Sequence, residues 1–301
     1  MPEPPTLLLR RGRLPRRTVA VLVLLAVAAY VAVQFVYGGK PAPRCTVVSA
    51  NDDGASYEFS AEQARNAATV AAVGTSRGMP ERAVTIALAT ALQESGLRNI
   101  RHGDRDSLGL FQQRPTQGWG DERQIMDPAY SAGRFYEHLA EVPGYSRLPL
   151  TVAAQRVQRS GYPQAYAKHE PDAVLLAAAL TGRAPATFTC EGRPGTDPGG
   201  PAAVRAALVR DFGREVRPDA RGRTVTVPVP ATAAADGRAP QRGWELAHWA
   251  VAQASALRVE RVAYGGREWR ASDSGTWRTV RREGAAGPGG TADEVRIVTG
   301  Q

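Results

Sequence analysis

The chain has 301 residues, enough for about two domains, because hydrophobic cores stop growing efficiently beyond one to two hundred residues. Its 43% apolar and 22% charged content is that of a folded protein, while 31 glycines and 22 prolines call for connecting segments between the folded parts. A formal charge of +9 favours anionic partners, but no zinc finger, RNA-binding signature or basic zipper accompanies the dispersed arginines, so nucleic acid is not an expected partner.

Residues 1–17 carry Arg10, Arg11, Arg13, Arg16 and Arg17 and read as a basic cytoplasmic tail. Residues 18–39, TVAVLVLLAVAAYVAVQFVYGG, contain no charged side chain, and such a run is long enough as a helix to cover a hydrocarbon core of about 30 Å. A transmembrane helix is expected there. Only Lys40 and Arg44 follow closely, so the positive-inside rule places the N-terminus in the cytoplasm and the remainder outside, as in a single-pass cell-membrane protein. The alternative is a cleaved signal peptide, whose apolar region spans about 7 to 15 residues before a small-residue cleavage site; the longer run favours an uncleaved anchor. Cys45 follows Pro-Ala-Pro-Arg, without the small residue that lipid attachment calls for.

The two cysteines, Cys45 and Cys190, then share an oxidising compartment and are expected to form a disulfide that brackets a domain over 45–190. Within it, SAEQARNAATVAAVGTSRG reads as a helix capped by Ser60, and PERAVTIALATALQESG as a second, apolar helix stopped by Gly96, with Glu94 on its last turn. From Asn99 to Asp121 the pattern breaks into a structured loop or short hairpin containing DSLGLFQQRP. DPAYSAGRFYEHLAEV, LTVAAQRVQRSG and EPDAVLLAAALTG continue as helices, so this domain is mainly α. Residues 191–201 read as a Gly/Pro-rich linker. Residues 202–301 read as a small α/β domain, with helices near Ala202–Phe212 and in ELAHWAVAQASAL, and strands in RTVTVPV, VERVAYGG and DEVRIVTG.

The motifs ALQESGL, SLGLFQQRP and MDPAYSAGRFYEHL, in this order and spacing, resemble the lysozyme-like lytic transglycosylases of the soluble type over roughly Pro80 to Asp172. The resemblance implies a lysozyme-like fold and an enzyme acting on the MurNAc-GlcNAc linkages of peptidoglycan glycan strands. In that family a Glu-Ser pair ends a core helix, a Gly-Leu-x-Gln-x-x-Pro loop crosses the cleft and an Asp-Pro helix supports it. Those places fall here on Glu94 and Ser95, on Gly109, Leu110, Gln112 and Pro115, and on Asp127 and Pro128.

Such a design needs an acid that stays protonated near neutral pH, because a glycosidic oxygen must receive a proton as its bond breaks. A half-buried Glu94 facing Leu110 and Phe111 would suit, since apolar surroundings disfavour the charged form. The resemblance implies that the same carboxylate then acts as base on the sugar's own hydroxyl, closing a 1,6-anhydro ring, and that Gln112 orients Glu94 or a sugar. An ordinary lysozyme needs two carboxyls, about 5 Å apart for retention or 6.5 to 9.5 Å for inversion. Asp104 and Asp106 are the candidates for the second, with solvated turn residues as the alternative.

One departure lies at Val157–Pro163, VQRSGYP, where the family shows Ala-Tyr-Asn-Ala-Gly. Gln158 or Tyr162 could supply the missing contact to an N-acetyl group. Tyr162 and Tyr166 read equally well as core or rim aromatics. Trp119 could stack on a sugar or anchor a loop. His102, His138 and His169 lack metal-like spacing, so neither metal nor cofactor is expected.

GWELAHWAVAQASALRVERVAYGGREW is faintly similar to a wall-associated domain of actinobacterial peptidoglycan hydrolases that ends in an Asp-His-Val-His strand. Here that strand reads DEVRI, with Glu294 and Arg296 in the histidine places, which points to a binding or spacer module without a metal. Two rivals to the enzyme remain open: a catalytically silent peptidoglycan-binding protein, from VQRSGYP, and a membrane scaffold for a wall or secretion complex, from the anchor and the last domain.

Overall fold

An apolar run without an internal breaker forms one helix, α1, over Arg16–Tyr37. The computed structural model describes residues 16–37, 44–160, 163–191, 199–229, 238–273, 275–280 and 293–300, and divides into the units Met1–Ala42 and Pro43–Gln301. Among the described residues no helix is long and apolar enough to cross a membrane. The transmembrane helix expected over 18–39 is therefore corrected, and the single-pass topology built on it loses its basis. Helix α1 takes in Arg16 and Arg17 at its start.

In the second unit, strands β1 (Arg44–Val48), β2 (Ser56–Ser60) and β3 (Phe188–Cys190) form an antiparallel sheet in the order β2-β1-β3. Cys45 stands directly opposite Cys190 in this sheet, and the two form a disulfide across a sequence separation of 145. Helix α2 (Ala61–Ser76) starts at a capping box between Ser60 and Gln63, so two N–H groups of the helix start and cap are satisfied reciprocally. Its alanines and valines from Ala64 to Val73 are buried all round, because α3 (Glu81–Ser95), α5 (Pro128–Ala140) and α9 (Arg238–Ala252) all pack on it. The short α4 (Glu122–Ile125), α6 (Leu150–Gln158) and α7 (Glu170–Leu180) complete the helical layer.

Residues 202–301 belong to this same unit. Their sheet is wholly antiparallel, which replaces the α/β arrangement expected there. Strands β4 (Asp219–Arg221), β5 (Thr224–Pro228), β6 (Val259–Tyr264), β7 (Arg267–Arg270), β8 (Arg278–Thr279) and β9 (Glu294–Thr299) take the order β4-β5-β9-β6-β7-β8. Val225, Val227, Val295 and Ile297 alternate toward the core, and α9 packs on β6 and β9.

Buried polar groups tie this sheet and its helices to the first helices. Asp211, near the end of α8 (Pro201–Phe212), has a fully buried carboxylate. It accepts hydrogen bonds from Thr69 Oγ1 at 3.0 Å, Trp249 Nε1 at 2.8 Å and Arg210 Nε at 2.7 Å. On α9, Glu245 accepts from Thr75 Oγ1 and from Arg242 Nη1. His248 is fully buried among Phe188, Trp244 and Trp277, and its Nδ1–H donates to the Ala179 carbonyl at 2.7 Å.

Burial pushes the His248 imidazole down to about 4, a fall only partly offset by the Ala179 hydrogen bond. In the unfolded chain it titrates near its ordinary value of about 6.5. Between those two values the unfolded chain holds a proton that the folded protein refuses, so stability falls as pH drops from about 6.5 to about 4. The loss attributable to this group is on the order of 3 kcal/mol across the window. Thermal unfolding of the wild type and His248→Gln between pH 7 and pH 4 should show a shallower decline for the variant; parallel declines would contradict the assignment.

Candidate functional site

Helix α3 is buried from Ala83 through Leu92, and at its last turn Gln93, Glu94 and Ser95 are half-buried. Gly96 ends it in the left-handed region at φ +62°, a conformation that costs an L-residue with a Cβ about 1 kcal/mol or more. Its amide and that of Leu97 return to the Leu92 and Ala91 carbonyls, each at 3.0 Å, so the helix end is closed by its own backbone. Glu81, at the other end, accepts two hydrogen bonds from Arg183, at 2.7 and 2.8 Å. Arg82 pairs with Glu170 at 2.7 Å and fixes α7 against α3.

The loop expected from DSLGLFQQRP is a tight hairpin closed by reciprocal backbone hydrogen bonds between Leu108 and Gln113, at 2.9 and 3.0 Å. Gly109 sits at φ +74°, and a Cβ there would lie 2.8 Å from the Ile125 carbonyl, so the loop can pass under α4 only as glycine. Ser95 Oγ lies 2.8 Å from the Leu110 carbonyl and joins the helix end to this hairpin. Gln158, the last residue of α6, donates from Nε2 to the Phe111 carbonyl at 2.7 Å. Ser95 and Gln158 thus hold the hairpin from two helices through its backbone.

Several expected contacts fall elsewhere. Leu110 and Phe111 are fully buried, Phe111 stacking on Phe135 at 4.7 Å, so they support the hairpin from inside and offer no surface to a ligand. Gln112 turns back on its own loop and donates to the Gly109 carbonyl at 3.1 Å. Trp119 is 9% exposed and lies 4.4 Å from the His138 ring, a loop anchor with no face open for a sugar. Tyr162 lies outside the described residues.

Neither aspartate stands ready as a second carboxylate. Asp104 projects into solvent, 91% exposed. Asp106 is engaged by Thr116 through both backbone N–H and Oγ1, and by Arg114 Nε at 2.6 Å. Those hydrogen bonds hold its carboxyl well below the usual carboxylate range, so it stays ionised and cannot donate a proton near neutral pH. Among the described residues no group of His, Cys, Asp and Glu could hold a metal ion.

The partner of Glu94 comes from a residue whose role the sequence left open. Tyr166, in the 3₁₀ turn Pro163–His169, is fully buried, and its hydroxyl donates to Glu94 Oε1 at 2.6 Å. Burial, and then the adjacent Glu94 carboxylate, push the Tyr166 phenol far up, partly offset by a hydrogen bond from Ser160. It therefore remains a donor at every physiological pH. Glu94 Oε2 makes no hydrogen bond among the described residues. Three residues on, His169 Nε2 lies 3.2 Å from Gln93 Oε1 and ties the same turn to α3 a second time.

Residues 216–288 match a family model described as VldE, C-terminal domain. That VldE-like stretch runs from just before β4 past β8, about a quarter of the chain, and contains none of the residues around Glu94. None of the curated proteins matches the chain.

The single signal that could have found Tyr166 was its place directly before the helix EPDAVLLAAALTG, next to the departure at VQRSGYP. Tyr166→Phe keeps the ring in the core and removes the hydroxyl's hydrogen bonds to Glu94 and Ser160, so unfolding measurements should show a loss of about 1 to 2 kcal/mol. An unchanged stability would mean that these bonds contribute nothing.

Proposed function

We propose that the protein cleaves the glycan strands of peptidoglycan outside the cytoplasm, as a lytic transglycosylase with Glu94 as its single acid and base. The observation that carries this reading is the Tyr166 hydroxyl at 2.6 Å from Glu94 Oε1. That bond occupies one carboxyl oxygen with a donor and leaves the other, Oε2, to carry the reactive proton. The motif resemblance around Glu94, Gly109 and Asp127 supports the substrate class. The Cys45–Cys190 disulfide supports an oxidising compartment.

In the proposed reaction Glu94 Oε2 gives its proton to the glycosidic oxygen as the bond to the sugar's C1 breaks, leaving oxocarbenium character at C1. The resulting carboxylate takes the proton of that sugar's C6 hydroxyl as its oxygen bonds to C1. An anhydro ring forms and Glu94 is protonated again, with no water consumed. This one-carboxylate route is favoured over a two-carboxylate lysozyme by the commitment of Asp106 to Arg114 and Thr116 and the solvent position of Asp104. Tyr166 holds the Glu94 rotamer and stays neutral throughout.

A catalytically silent wall-binding protein is the second reading. The departure at Val157–Pro163 favours it, because Gln158 is spent on the Phe111 carbonyl and does not face a sugar through that amide.

Purified peptidoglycan incubated with the wild type should release anhydro-ended muropeptides, detected by mass. Glu94→Gln keeps shape and hydrogen bonding but has no proton to give, so the yield should fall by roughly 10² to 10⁴ with wall binding retained. Equal release by both proteins would remove Glu94 from the reaction. Reducing ends would establish hydrolysis, and no product from either, with binding retained, would establish the silent reading.

A further inference from the structure

On the side of the second sheet turned away from α9, alternate residues of β4, β5, β9 and β6 enclose a cavity of about 650 Å³. Asp219, Arg221, Thr224, Thr226, Arg261, Glu294 and Arg296 line it, and Pro228, Ala263 and Val298 form its apolar floor. We propose that this groove binds a carboxylate-bearing polysaccharide segment, independently of the chemistry at Glu94.

The arginines are held in a way that leaves their binding edges open. Arg221 uses Nε on Asp219 at 2.9 Å, and Arg296 uses Nε on Glu294 at 2.5 Å. Among the described residues Arg261 pairs only with Glu268, at 3.7 Å. The terminal nitrogens of Arg221 and Arg296 make no hydrogen bond among the described residues, so each acidic neighbour orients a guanidinium without consuming the fork that grips a carboxylate. Arg261 pairs in register with Val298, which places it diagonal to Arg296 on the neighbouring strand, about 7–8 Å between their backbones. Two long side chains at that spacing can close on one anion. Arg221 lies two strands over and two residues along from Arg296, about 12 Å away at 4.8 Å per strand and 3.3 Å per residue, and is placed for a second anion farther along the ligand.

The remaining lining selects the body that carries those anions. Asp219 and Glu294 repel a dense polyanion but accept hydrogen bonds from hydroxyl groups, and the Thr224 and Thr226 hydroxyls can both give and accept them. Val298, Ala263 and Pro228 offer an apolar floor to a sugar ring. A chain of hydroxylated rings with widely spaced carboxylates meets all three demands. A phosphodiester chain, poorer in hydroxyl donors, leaves the two acidic residues opposed only by charge.

Calorimetric titration of the full chain with a hyaluronan oligosaccharide, whose carboxylates lie on alternate rings, a glycerol-phosphate oligomer and a neutral chitin oligosaccharide tests this. The hyaluronan oligosaccharide should bind best, and Arg261→Gln with Arg296→Gln should weaken it by at least about tenfold. Arg221→Gln, on the exposed edge strand β4, removes the second contact without touching the sheet core and should weaken it too. Arg205→Gln, on the exposed face of α8, and Glu94→Gln should leave it unchanged. Failure to bind the hyaluronan oligosaccharide, tighter binding of either other oligomer, or equal losses in the Arg205 variant would overturn the proposal.

Discussion

Helix α3 is buried on every side for ten successive residues, Ala83 to Leu92, and the candidate site depends on that constraint. A helix so enclosed can expose only its end, and here the end is shaped by three specific devices. Gly96 turns the backbone away in a left-handed conformation. Ser95 bonds the hairpin carbonyl of Leu110, and Tyr166 reaches Glu94 from the turn before α7. The carboxyl group is therefore presented by rigid elements, with its position set by core packing rather than by loop conformation.

The later part of the chain secures the same core from behind. Asp211, Glu245 and His248 place buried polar atoms against α2 and the end of α7, where an unpaired charge would cost several kcal/mol. Burial pushes the Glu245 carboxyl up, and Arg242 opposes that shift. The Cys45–Cys190 disulfide joins β1 to β3 in the small sheet beside these contacts, and Trp277 donates to the Phe188 carbonyl at 2.8 Å. Residues 202–301 thus contribute to the framework that carries Glu94.

Local signals in the sequence corresponded to local structure. Ser60 caps α2, Asp127 caps α5 and Gly96 stops α3, because each rests on hydrogen bonds within a few residues. The pairing of two cysteines needed only a shared compartment. What depended on distant contacts was not legible. Strands β1 and β2 are only five residues each, and β1 is completed on its other side by β3, more than a hundred residues later. The antiparallel order of the second sheet brings β9 between β5 and β6, an arrangement no local pattern encodes. Apolar character misled at Leu110 and Phe111, which face the core instead of a cleft. Length and charge misled at α1, where an uninterrupted apolar run was read as a membrane span. At Tyr166 an aromatic with two equal readings proved to be the hydrogen-bond partner of Glu94.

The account rests on Glu94 presenting one oxygen to Tyr166 and the other to a glycosidic bond. A crystal structure of the Glu94→Gln protein with chitotetraose bound measures that relation directly. The account predicts a glycosidic oxygen within about 3 Å of the position-94 side chain, on the atom that does not contact Tyr166. An oligosaccharide bound with every glycosidic oxygen out of that side chain's reach would contradict it.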